Sequence, residues 1–93
     1  MIKVRLFATF RLLAGIKSLD LDLPAGTSVQ DAVQAIVEQI PVLYPHWLDE
    51  SGELHAHVHI LLDGEDVTTL PDGLQSQLMA DSALDFFPPV VGG

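Results

Sequence analysis

Ser18-Leu19-Asp20-Leu21-Asp22-Leu23 alternates polar and apolar residues, whereas Ser28-Val29-Gln30-Asp31-Ala32-Val33-Gln34-Ala35-Ile36-Val37-Glu38-Gln39-Ile40 does not. The first run puts Leu19, Leu21 and Leu23 on one face of an extended chain, the period of a half-buried strand. In the second, Val29, Ala32, Val33, Ile36, Val37 and Ile40 recur at helical spacing, while Gln30, Asp31, Gln34, Glu38 and Gln39 face away. Pro24-Ala25-Gly26 breaks the strand between the two runs. Ser28 stands where a helix N-cap belongs, with Asp31 in a capping-box position. Pro41 ends the helix, because the residue before a proline avoids helical geometry. A helix with one apolar stripe must cover something, and the neighbouring strand supplies part of it.

Outward from this core unit, residues 2–8 also alternate, with Ile2, Val4, Leu6 and Ala8 on one face. A short segment, residues 9–14, ends at Gly15, so the first two strands can pair as a hairpin. Residues 42–52, with Tyr44-Pro45-His46-Trp47, read as a loop or a single helical turn. Residues 54–62 read as a third strand, with Leu54, Ala56, Val58, Ile60 and Leu62 on one side and His55, His57 and His59 on the other. Asp63-Gly64 is a strong turn signal, residues 65–67 a short edge strand, and residues 68–80 irregular around the turn Pro71-Asp72-Gly73. Residues 83–87 form the last strand, followed by Pro88-Pro89-Val90-Val91-Gly92-Gly93. The expected class is α+β: a mixed sheet of four to five strands, one main helix on one face, the other face open to solvent or a partner.

The chain has 93 residues, 48% apolar and 18% charged, which fits one globular domain over residues 1–93 with a flexible tail from about residue 88. Its net charge is −9, and residues 49–93 carry all of it, holding nine acids and no Lys or Arg. Lys3, Arg5, Arg11 and Lys17 are balanced by four acids in the first half. An acidic half repels phosphate backbones, so neither nucleic acid nor an anionic membrane is the expected ligand, and a partner with a basic face is. There are no cysteines, which removes disulfides, thiolate metal ligands and sulfur carriage as a persulfide. The N-terminus shows no long apolar stretch, so a cytoplasmic location is the default expectation.

The chemistry can sit in the tail. Pro88 and Pro89 each fix φ near −65° and stiffen the exit from the last strand. Gly92-Gly93 lacks side chains, so the main chain can thread a slot too narrow for a Cβ. The one reactive group delivered is the α-carboxylate of Gly93. A carboxylate is a poor electrophile, so another protein must activate it with ATP; the acyl-adenylate can then be attacked by a sulfur donor or an amine. A frayed end explains the same two glycines without any function.

The terminus Phe86-Phe87-Pro88-Pro89-Val90-Val91-Gly92-Gly93 resembles that of the MoaD/ThiS-type ubiquitin-like sulfur carriers. Leu6-Phe7-Ala8, Leu13-Ala14-Gly15 and Thr27-Ser28-Val29-Gln30-Asp31 are similar to the same family. Ser51-Gly52-Glu53-Leu54, His57-Val58-His59-Ile60 and Asp63-Gly64-Glu65-Asp66-Val67 resemble its small archaeal modifier branch in particular. The resemblance implies a β-grasp fold, no bound cofactor and no catalysis by the chain itself. It also implies an E1-like enzyme that uses ATP to adenylate Gly93, and conversion to a thiocarboxylate. Gly93 then matches the carrier residue, while Gly92, Val91 and Val90 match the neck that threads a partner's active site. Phe87, Pro88 and Pro89 match the segment the partner grips. As the small subunit of a molybdopterin synthase, the tail would enter the large subunit and deliver sulfur in molybdenum cofactor synthesis. Otherwise it would modify target lysines or supply sulfur for tRNA thiolation, cysteine or thiamine synthesis. Where the family usually has an Asp-Gly-Asp type turn, this chain has Asp81-Ser82-Ala83, so that turn must form without glycine.

Other features carry less. His55, His57 and His59 could bind zinc or nickel if they share a strand face, but a site needs further ligands, and an exposed strand is the simpler reading. Trp47 reads as a residue at the core edge closing the helix layer. Asp49, Glu50 and Glu53 read as a solvated loop. A binding-only module, recognising protein through the histidine face or the open sheet face, is the alternative of another class.

Overall fold

The computed structural model describes residues 1–89, in which the two N-terminal alternating runs form β1 (Ile2–Leu6) and β2 (Ser18–Leu21), paired antiparallel. Their register sets Ile2 opposite Leu21 and Val4 opposite Leu19, which puts the apolar residues of both strands on one face. The helix α2 spans Val29–Gln39 and buries Val29, Ala32, Val33, Ile36 and Val37, the stripe read from the sequence. Ser28 caps it: its Oγ accepts from the Asp31 N–H at 3.1 Å. Removing this acceptor with Ser28→Ala should cost about 1 kcal/mol in thermal or urea unfolding, and no measurable loss would show the cap to be dispensable.

The five strands run in the order β2-β1-β5-β3-β4, with β3 at His59–Leu62, β4 at Glu65–Asp66 and β5 at Ala83–Phe87. β5 is central, parallel to β1 and antiparallel to β3. Ile2, Val4, Leu6, Ile60, Leu84 and Phe86 meet α2 in one core. Each such side chain contributes roughly 1.5–3 kcal/mol by leaving water. Asp63 and Gly64, at φ 49° and 87°, make the tight turn from β3 to β4. Asp63 also ties down the start of β5: its Oδ1 accepts from the Ala83 N–H at 2.8 Å, and its own N–H donates to the Ala83 carbonyl at 2.9 Å.

The structure corrects several local readings. Residues 9–14 are not a plain connection: a helix, α1, spans Ala8–Ala14 and ends on Gly15 in the left-handed region at φ 76°. Ala8 therefore leaves the strand face and begins this helix with φ 53°. Only Phe10 of α1 is buried, so its seven residues display no apolar period. The third strand is half the expected length. Residues 54–58 turn instead, with Leu54 in an isolated bridge to Leu48, the His55 N–H on the Trp47 carbonyl and the Val58 N–H on the His55 carbonyl. His55, His57 and His59 consequently do not project from one strand face, because only His59 lies on a strand.

Residues 41–47 pack as a 3-10 turn, Pro41–Leu43, running into a helical turn, α3, at Tyr44–Trp47. Trp47 is not at the core edge; it is fully buried. Residues 67–75 hold two further 3-10 turns, Val67–Thr69 and Gly73–Gln75. The glycine-free turn before β5 closes through Ser82, whose Oγ accepts from the Met79 N–H at 2.9 Å while its own N–H donates to the Met79 carbonyl.

Candidate functional site

The tail leaves the fold at the end of β5, and both faces of that strand are anchored just before it. On the core side, Phe86 stacks on Trp47 with ring centroids 4.3 Å apart, and Phe10 meets Trp47 edge-on at 5.5 Å. On the open side, Phe87 stacks on Phe7 at 4.3 Å, the rings only 10° from parallel. The Phe7 N–H donates to the Phe86 carbonyl at 3.2 Å, closing the corner from which α1 departs. Two residues upstream, Arg5 and Asp85 sit opposite each other in the parallel register and form a bidentate ion pair, Nε to Oδ1 at 2.5 Å and the second guanidinium nitrogen to Oδ2 at 2.9 Å. That hydrogen bond, with the Asp85 charge, raises the Arg5 pKa further. The tail therefore starts from a strand gripped above, below and on both sides.

The open sheet face carries alternate residues of each strand: Lys3 and Arg5, Ala83, Asp85 and Phe87, then His59 and Leu61. A groove beside the exit is lined by Ala8, His59, Leu61, Phe87, Pro88 and Pro89. Phe87, Pro88 and Pro89, the expected gripped segment, are thus brought together with Leu61 and His59. The tail residues Val90, Val91, Gly92 and Gly93 lie outside the described residues. Sequence reasoning missed Phe7, Arg5 and Leu61 as neighbours of the exit. Odd-numbered alternation in β1 and β5 could have marked them, but their meeting requires the parallel pairing of the chain's two ends.

His55 and His57 stack with centroids 4.9 Å apart, while His59 lines the exit groove and also a second pocket that it shares with His55. Among the described residues, no group of three or more His, Asp or Glu side chains is placed to hold a metal ion. Asp49 organises its own loop, its Oδ1 accepting from the Ser51 hydroxyl and from the Ser51 and Glu53 N–H groups. Those bonds, led by the Ser51 hydroxyl, hold the Asp49 carboxyl below the usual 3.8. Asp66 is lowered likewise, first by the Thr68 N–H and then by its hydroxyl. A depressed carboxylate contributes stability above its unfolded pKa and loses it as pH falls through the lower folded value. The acid limb of stability against pH should thus begin near 3.8 and continue below it. Asp49→Asn with Asp66→Asn should flatten that limb in acid titrations of unfolding; an unchanged limb would place the acid sensitivity elsewhere.

A five-stranded mixed sheet with a parallel pair of terminal strands, crossed on one face by a single main helix, is the ubiquitin-like β-grasp fold. Residues 4–93 match the ThiS family, and the chain belongs to it. It is 35% identical over 92 residues to small archaeal modifier protein 3 of Haloferax volcanii, covering 99% of this chain and 98% of that one. The crystal structure of SAMP1 from the same organism superposes with a TM-score of 0.88 at 32% identity, covering 99% of this chain and 98% of that one. A putative molybdopterin converting factor, subunit 1, from Pyrococcus furiosus gives a TM-score of 0.74 at 28% identity, covering 96% and 97%. The family comprises ubiquitin-like sulfur carriers and modifiers, small proteins that are not themselves catalysts. Among the described residues, no helix is long and apolar enough to cross a membrane.

Proposed function

We propose that this chain is a cytoplasmic carrier whose working group is the α-carboxylate of Gly93. An E1-like enzyme activates it: a carboxylate oxygen attacks the α-phosphate of ATP, pyrophosphate leaves, and an acyl-adenylate remains. A persulfide sulfur on a donor protein then displaces AMP to give an acyl disulfide, and a second thiol attacks the donor's sulfur in its S–S bond, releasing Gly93 as a thiocarboxylate and leaving a disulfide on the donor. Gly92, Val91 and Val90 are the neck that threads the partner's active site, and Phe87, Pro88 and Pro89 are the segment it grips. One observation carries the reading. The strand that leads into this tail is the central strand of the fold, stacked on one face through Phe86 and on the other through Phe87, so the tail departs from a fixed point.

Two fates of the activated carboxyl follow. As the small subunit of molybdopterin synthase, the chain inserts its tail into a large subunit and transfers sulfur in molybdenum cofactor synthesis; the similarity to the Pyrococcus furiosus protein supports this. As a modifier, it forms an isopeptide bond to a target lysine, with AMP or sulfide as leaving group. The higher identity to archaeal modifier proteins, 35% and 33%, supports that fate. Sulfur supply to tRNA, cysteine or thiamine synthesis uses the same first steps. The shared step is tested by pyrophosphate release from ATP with the cognate activating enzyme. Release should depend on the chain and stop when Gly92 and Gly93 are removed; release that persists without them contradicts the proposal.

A further inference from the structure

All four basic residues of the chain meet in one place. Lys3, Arg5, Arg11 and Lys17 line a single groove with Phe7 between the open sheet face and α1, in a molecule of net charge −9. Two of the four are engaged, Arg5 with Asp85 and Lys3 with Asp20 at 3.9 Å. Arg11 and Lys17 make no ion pair among the described residues, and both are exposed. These two also frame an adjoining hollow with Leu12, Gly15 and Ile16. Leu12 is 76% exposed and Ile16 43%, with Leu13 next to Leu12 at 36%. The corner after α1 therefore shows water two aliphatic side chains flanked by two uncompensated cations.

We propose that this corner is a docking surface for an acidic segment of a partner protein that carries apolar side chains among its carboxylates. Charge complementarity selects the sign: all four Lys and Arg side chains of the chain line this groove, and residues 49–93 contain none. The exposed leucine and isoleucine select against a purely ionic ligand, because their burial is favourable only beneath an apolar group. Size selects against a long polyanion. The fold is 26 Å across in its shorter dimensions and holds thirteen acids against four bases, so nucleic acid extending past the patch would meet net negative charge within a few Debye lengths of about 8 Å. A short acidic segment avoids that repulsion. The surface is independent of the chemistry at Gly93, so a failure of the carrier reading leaves it standing.

The test uses the full chain, nitrogen-15 labelled, titrated with a short synthetic peptide of glutamates interspersed with leucines. Amide shifts should concentrate at Arg11, Leu12, Gly15, Ile16 and Lys17, and affinity should fall as salt rises. Arg11→Glu with Lys17→Glu should weaken binding on the order of tenfold while melting stays unchanged, and Leu12→Ser with Ile16→Ser should weaken it as well. The dispersed amide spectrum of each variant verifies that it is folded. Absence of binding, or shifts spread over the acidic half, would overturn the proposal. So would unchanged affinity of the serine variant, or equally tight binding of a single-stranded DNA of matched charge at the same residues.

Discussion

Trp47→Ala is expected to destabilise the fold by about 3–5 kcal/mol, against a total of roughly 5–14 kcal/mol for a chain of this length. Trp47 has no exposed surface, stacks on Phe86 at 4.3 Å and receives the edge of Phe10 at 5.5 Å. It joins three elements, α1, α3 and β5, that no other side chain links through aromatic contact. Alanine would leave a void too large for its neighbours to fill, with Phe86 unsupported immediately before the tail. The melting temperature should drop by roughly 15–30 °C. Trp47→Phe should lose far less, under about 2 kcal/mol, because the indole Nε1 is buried without a hydrogen-bond partner and its removal relieves that cost. A calorimetric melt of both variants decides it. If alanine melts like the parent protein, the aromatic stack does not hold β5.

The second large effect lies in function and should leave stability untouched. Removing Gly92 and Gly93 should abolish adenylation and every later step, since the proposed working group is the α-carboxylate of Gly93. Gly92→Val tests the neck separately. A Cβ there must widen or misplace the path to the reacting carboxyl, and a displacement near 1 Å costs about 100-fold in rate. The expected profile is therefore a normal melt, weak change in binding to the activating enzyme and turnover down by two orders of magnitude. Normal turnover by Gly92→Val would show that the tail does not pass through a tight channel.

Much of this architecture was legible because two periods are unambiguous. The alternation at Ile2, Val4, Leu6 and at Leu19, Leu21 located the first hairpin, and the stripe from Val29 to Val37 located the helix. The tail's composition suggests the carboxyl chemistry proposed for Gly93, which lies outside the described residues. What stayed hidden is instructive in physical terms. α1 buries a single residue, Phe10, so no period exists to detect. Leu54, Ala56 and Val58 mimic a strand because a turn stabilised by main-chain bonds to Trp47 and His55 happens to place apolar residues two apart. That error carried the three histidines onto a common face they do not share. The pairing of β1 with β5 joins residues about eighty positions apart, such as Arg5 and Asp85, and no local pattern encodes it. The clustering of four bases follows from the same closure, since Lys3 and Arg5 reach Arg11 and Lys17 only once α1 folds back beside the sheet.

Whether Gly93 carries the reactive group is decided by intact-mass spectrometry. The chain is produced together with its cognate activating enzyme and a sulfur donor, then weighed whole and after C-terminal peptide mapping. The expected result is a mass increase equal to exchanging one oxygen for sulfur, confined to Gly93 and absent from the variant lacking Gly92 and Gly93. An unmodified terminus under conditions where the activating enzyme is demonstrably active, or sulfur found on any other residue, would contradict it.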